Sequence, residues 1–159
     1  MAVVVAIHGP SGSGKTTLIG QVIPRLKRRG LSVGVIKHAH DGFVLDRRGK
    51  DSWRMWQAGA AAVLVAGPAE TMLRHRVTHA ALPRLLAQMP KDLDCILVEG
   101  FAPPAGENAR FIHMRFLVES GGIRYNGRWI PRDDPARIEA LLLARLPRKG
   151  ATRQEDRRR

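Results

Sequence analysis

Residues Gly9-Pro10-Ser11-Gly12-Ser13-Gly14-Lys15-Thr16-Thr17 carry the densest chemistry in this sequence. Their spacing satisfies G-x-x-x-x-G-K-[ST], with an apolar run before it and an amphipathic stretch after it, the setting of a phosphate-binding loop. Glycines allow successive backbone N–H groups to turn toward one centre. The start of the following helix adds partial positive charge where an anion would sit. Lys15 is placed to reach the β and γ phosphates of a nucleotide, and the Thr16 hydroxyl to ligate Mg²⁺. A glycine turn that merely joined a strand to a helix would need neither residue.

Such a loop works with an acid near the metal, usually at the end of a buried strand. Glu99 follows Cys95-Ile96-Leu97-Val98 and precedes Gly100. It is a candidate to hold Mg²⁺ through water or to orient an attacking water. Asp46 is the other candidate. It lies in the polar stretch "KHAHDGFVLDRRGKDS", Lys37 to Ser52, which also contains His38, His40, Asp41, Arg47, Arg48, Lys50 and Asp51. Loops at the carboxyl ends of strands form the ligand crevice of open α/β sheets, so this one is expected to approach the phosphates or a second anionic ligand. The spacing of His38, His40 and Asp41 matches no established metal motif.

The elements that must position these groups alternate. Ala2–His8 is a continuous apolar run, as in a strand buried on both faces. Lys15–Arg29 reads as a helix, with Leu18, Ile19, Val22, Ile23 and Leu26 on one face, Gly30 as its cap and a kink at Pro24. Strands are expected over residues 31–38, 60–66, 71–77 and 93–98, and helices over 51–58 and 81–89. This order argues for an α/β protein of the P-loop NTPase type, its mostly parallel sheet flanked by helices. The last third differs. Arg110–Glu119 alternates as an edge or interface strand would. Asn126-Gly127 signals a hairpin pairing Tyr125 with Arg128 and Ile123 with Ile130. Together they form a C-terminal antiparallel extension. Asp134-Pro135 opens a final helix with Ile138, Leu141, Leu142 and Leu146 as its buried stripe.

A chain of 159 residues fits one nucleotide-binding domain, residues 1–146, followed by a basic tail, 147–159, expected to be disordered. No apolar run approaches the roughly 20 residues that span a bilayer. The single cysteine, Cys95, has no intrachain disulfide partner and lies in an apolar run, in keeping with a reducing cytoplasm. The net charge of +13 invites a nucleic-acid reading, but +5 of it lies in residues 145–159. No nucleic-acid motif appears and aromatic residues are sparse, so no specific nucleic-acid partner is expected.

The phosphate loop, the stretch "KHAHDGFVLDRRGKDSWRMWQAGA" and "ILVEGF" together resemble the molybdopterin-guanine dinucleotide biosynthesis protein B (MobB) family. The resemblance runs from about Val3 to about Phe101. It implies a P-loop GTP-binding protein, homodimeric and cytoplasmic, that assists a guanylyltransferase attaching GMP to the molybdenum-bearing pterin. The pterin itself is a further candidate ligand. The resemblance implies that Gly12 to Thr17 bind the phosphates of GTP, that Thr16 ligates Mg²⁺, and that Asp46, Lys50 and Asp51 border the site. The chain departs from the family at Asp41-Gly42, where a further His and Asp are common, and at Ala102, where a lysine usually follows "EGF". It also lacks the [NT]-K-x-D element that selects guanine in many GTPases, so the choice of GTP rests on the resemblance alone.

The alternative is an ATP-dependent small-molecule kinase. That reading needs an arginine-bearing lid over the γ-phosphate, for which Arg74 to Arg84 is the available segment. As an adapter the chain would be at most a slow GTPase. Its homodimer contacts are expected on the mixed face of Arg110–Glu119 and on the Tyr125–Arg128 hairpin.

Overall fold

The computed structural model describes residues 2–39, 42–78, 80–101 and 106–146. The tail expected over 147–159 lies outside them, as do His40 and Asp41. In chain order the elements are β1 (Val3–His8), α1 (Lys15–Arg28), β2 (Val33–Lys37), α2 (Asp51–Gln57), β3 (Ala62–Ala66), β4 (Thr71–His75), α3 (Leu82–Gln88), β5 (Cys95–Glu99), a 3-10 turn (Gly106–Phe111), β6 (Met114–Val118), β7 (Gly122–Tyr125), β8 (Arg128–Pro131) and α4 (Pro135–Leu143). Among the described residues no helix is long and apolar enough to cross a membrane.

The main sheet has six strands in the order β2-β5-β1-β6-β7-β8. β2, β5, β1 and β6 run parallel, and β7 and β8 add antiparallel pairings. The central strands are covered on both faces, which is why they read as unbroken apolar runs. On one face Val3, Val5, Ile7, Leu97, Phe116 and Val118 pack with Leu18, Val22 and Leu26 of α1 and Ile138 and Leu142 of α4. On the other, Val4, Ile96 and Val98 pack with Leu82 of α3. Arg29 Nε donates to Glu139 Oε1 at 3.0 Å, joining the end of α1 to α4. Asp134 caps α4 by accepting from the Arg137 N–H at 3.0 Å.

The hairpin forms with the expected register, Tyr125 opposite Arg128 and Ile123 opposite Ile130. Asn126 takes φ 47° and Gly127 φ 76°, the left-handed pair that a tight I′ turn requires.

Two expectations are corrected. β3 and β4 are not strands of the parallel sheet; they pair antiparallel with each other in a separate two-stranded sheet. Residues 67–70 join them, too short a link for the crossover that parallel pairing needs. Arg110–Glu119 is not an edge strand. Its first residues form the 3-10 turn, and β6 is interior, between β1 and β7. Its inward set, Met114, Phe116 and Val118, is buried because α1 and α4 lie over it. α1 continues as one helix through Pro24. The residue four earlier, whose carbonyl loses its donor, is Gly20, which is exposed.

Candidate functional site

β1 ends at His8, and the chain turns through residues 9–14 into α1. Gly9, at φ 144°, passes so close to the Val118 carbonyl that any side chain there would collide with it. The loop is therefore seated against the end of β6. Parallel registers bring the other two groups to the same edge: Ile7 is opposite Glu99, and Glu99 is opposite Lys37.

The result is a cleft of about 720 Å³ lined by Gly9, Ser11, Gly12, Gly14, Lys15, Thr16, Thr17, Lys37, His38, Ala39, Gly42, Glu99 and Gly100. Thr16 Oγ1 donates to Glu99 Oε1 at 2.8 Å. Lys37 Nζ stands 3.8 Å from the same oxygen. Glu99 is 6 % exposed and meets both partners at the floor of the cleft. Lys15 Nζ donates to the Gly9 and Pro10 carbonyls at 3.0 and 2.6 Å, which holds the ammonium over the loop. The His38 ring stacks on Phe101 at 4.6 Å between centroids. At the end of β1, burial and secondarily the Arg115 guanidinium lower the His8 imidazole below its ordinary value.

Of the residues expected from sequence, Gly9, Ser11, Gly12, Gly14, Lys15, Thr16, Thr17 and Glu99 are brought together here. Ser13 is the buried residue of the loop, and its Oγ has no hydrogen-bond partner among the described residues. Asp46, Lys50 and Asp51 do not line the cleft. Asp46 Oδ1 accepts from Ser52 Oγ at 3.0 Å, while Lys50 and Asp51 sit at the start of α2. Arg74 and Arg76 lie 4.0 and 4.1 Å from the Trp56 ring centre, and neither lines the cleft.

The sequence pattern did not draw attention to Arg132 and Asp133. Arg132 Nη2 donates to the Ser13 carbonyl of the loop, and to the Glu119 carbonyl at 3.1 Å. A signal existed: β8 runs in the same direction as β1, so residues following Pro131 emerge at the phosphate-loop edge.

A glycine-rich loop between a buried parallel strand and a helix, with lysine, threonine and a strand-end acid around one cleft, defines the P-loop NTPase class. A family model described as molybdopterin guanine dinucleotide synthesis protein B matches residues 4–109, and the chain belongs to that family. The molybdopterin-guanine dinucleotide biosynthesis adapter protein of Haemophilus influenzae is 42% identical over 99 residues, covering 61% of this chain and 56% of that protein. The adapter protein of the same name from Escherichia coli is 40% identical over 105 residues, covering 64% and 60%. The matched region thus spans less than two thirds of either relative's length. A crystal structure of molybdopterin-guanine biosynthesis protein B superposes with a TM-score of 0.64 at 29% identity, covering 89% of this chain and 97% of that one.

Proposed function

We infer that this chain is a cytoplasmic adapter in molybdopterin-guanine dinucleotide biosynthesis that binds GTP with Mg²⁺ and hydrolyses it slowly. It acts as a homodimer beside a guanylyltransferase that attaches GMP to molybdopterin. The observation that carries the nucleotide part is the convergence of Lys15, Thr16 and Glu99 on one cleft. The pathway part rests on the family and on the names of the two relatives.

The donor set suits the ligands. Thr16 and Glu99 offer hard oxygen atoms to one point, the chemistry Mg²⁺ selects. The Lys15 ammonium, held by loop carbonyls, is available to phosphate oxygens, and the Gly12–Thr17 backbone leads into the start of α1. Bound Mg²⁺ would supply charge neutralisation at the phosphates. Glu99 would hold or orient water there; its contact with Thr16 supports this role over Asp46, which accepts from Ser52. The described residues lining the cleft include no arginine and no glutamine, the groups that speed GTP hydrolysis in faster enzymes. Slow turnover follows. The kinase alternative is disfavoured because Arg74 and Arg76 are engaged with Trp56.

Calorimetry with GTP and ATP, each with Mg²⁺, tests the reading. GTP is expected to bind more tightly. Lys15→Ala is expected to weaken it roughly a hundredfold, the scale of losing charge-assisted hydrogen bonds. Equal affinity of wild type and Lys15→Ala would remove the cleft from nucleotide binding; tighter ATP binding with phosphoryl transfer to a metabolite would favour the kinase.

A further inference from the structure

A second cleft, of about 500 Å³, opens on the other side of the phosphate loop. It shares Gly14 and Thr17 with the first, so the two meet at the first turn of α1. A polyphosphate held by Lys15 and Thr16 would reach Thr17 at its other end. Whatever is attached to the chain would continue into this second space.

Its lining suits a purine nucleoside. Val118, Ile123 and Leu18 form an apolar floor, each nearly fully buried. Gly121 and Gln21 lie at the sides, and Pro131, Arg132 and Asp133 come from the end of β8. Two of the charged groups near this wall already have partners. Arg132 donates to the Ser13 and Glu119 carbonyls, and Asp134 caps α4. Asp133 is exposed and has no side-chain partner among the described residues, and it is the only acid lining the cleft.

We propose that this cleft holds the base and ribose of a guanine nucleotide and that the Asp133 carboxylate reads the base. Guanine presents two adjacent donors, N1–H and the exocyclic N2 amine, which a carboxylate accepts together. Adenine presents an acceptor at N1, which a carboxylate repels. A site built around such a pair discriminates strongly, because the wrong base leaves polar groups unpaired. Asp133 would thus do the work of the [NT]-K-x-D element the chain lacks. This assignment rests on the phosphate cleft binding the triphosphate.

The test uses the full chain with Mg²⁺ and four probes: GTP, ATP, xanthosine triphosphate and inorganic tripolyphosphate. Xanthine carries a carbonyl in place of the N2 amine, so an asparagine side chain matches it where a carboxylate does not. Asp133→Asn is expected to lose at least about tenfold in GTP affinity, the scale of one charge-assisted hydrogen bond, and to gain xanthosine triphosphate. Asp133→Ala is expected to lose the preference for GTP over ATP without gaining the xanthine nucleotide. Tripolyphosphate binding should be unchanged in both, which also reports that the loop is folded. Unaltered GTP affinity in both variants, with tripolyphosphate still bound, would overturn the role of Asp133 alone. Failure of the wild type to bind either GTP or tripolyphosphate would overturn the phosphate reading and this one with it.

Discussion

Thr16 and Glu99, 83 residues apart in sequence, meet in the cleft at the glycine-rich loop through a 2.8 Å hydrogen bond from hydroxyl to carboxylate. Parallel pairing of β1 with β5 produces this contact by setting the end of β5 beside the beginning of the loop. Lys37 approaches the same carboxylate oxygen from β2. One buried acid therefore answers to a hydroxyl on one side and a cation on the other.

If that acid serves Mg²⁺, its charge and not its shape is what matters. Glu99→Gln keeps the volume and still accepts from Thr16. It should reduce the increment in GTP affinity that Mg²⁺ provides by about tenfold, or about 1.4 kcal/mol, while metal-free affinity stays level or rises. Titrating GTP with and without Mg²⁺ checks this. An unchanged increment would take Glu99 out of the metal's surroundings.

The phosphate loop, Glu99, the Asn126-Gly127 turn and the buried stripes of α1 and α4 were legible in the sequence because each is a local pattern: a motif, an apolar run, a turn pair, a helical period. What was not legible depends on which strands become neighbours. The apolar run Ala60–Ala66 reads like a buried parallel strand, yet β3 pairs only with β4 and most of its residues are exposed. Alternation in Arg110–Glu119 suggested an edge, but the antiparallel hairpin adds beyond β6 and makes it interior. Asp46 is the second candidate acid after Glu99 in the sequence; the fold sets Asp46 against Ser52 and Glu99 against Thr16. Arg132 and Asp133 belong to no motif; the direction of β8 alone brings them to the loop.

The β3–β4 hairpin offers a second candidate surface for the proposed homodimer, beside Arg110–Glu119 and the Tyr125–Arg128 hairpin. Leu64 and Leu73 face each other in register and are 65% and 58% exposed. Met55, Val65 and Val77 are exposed nearby in sequence. A lone two-stranded sheet is marginal in water and leaves both edges open to pairing. A second copy covering it would bury both liabilities. Leu64→Asp with Leu73→Asp is expected to convert the sedimenting species from dimer to monomer while tripolyphosphate binding persists. A wild-type monomer at concentrations well above about micromolar, the range of weak assemblies, would count against the dimer.

Cys95 is fully buried in β5, and its thiol is pushed up to about 12 by burial and secondarily by the neighbouring Asp94 carboxylate. The thiolate is the reactive form, so the native thiol should resist labelling at neutral pH. Ellman's reagent is expected to titrate it only after denaturant unfolds the sheet. Stoichiometric reaction of the native protein within minutes would contradict its place in the core.

His8 gives the fold a mild pH dependence of defined sign. Its folded value lies below the ordinary histidine value of 6.5, chiefly through burial and then through Arg115. Near pH 6 the unfolded chain therefore holds more protons at this position than the folded one. The penalty is absent above about 6.5, grows as pH falls through the window down to the lowered folded value, and is constant below that. Urea midpoints measured at pH 7.5 and 5.5 should show lower stability at 5.5. His8→Gln should remove part of that difference, and added salt should reduce the Arg115 contribution. The same pH difference in wild type and variant would assign the slope to other groups. A midpoint that rises on acidification would reverse the sign argued for His8.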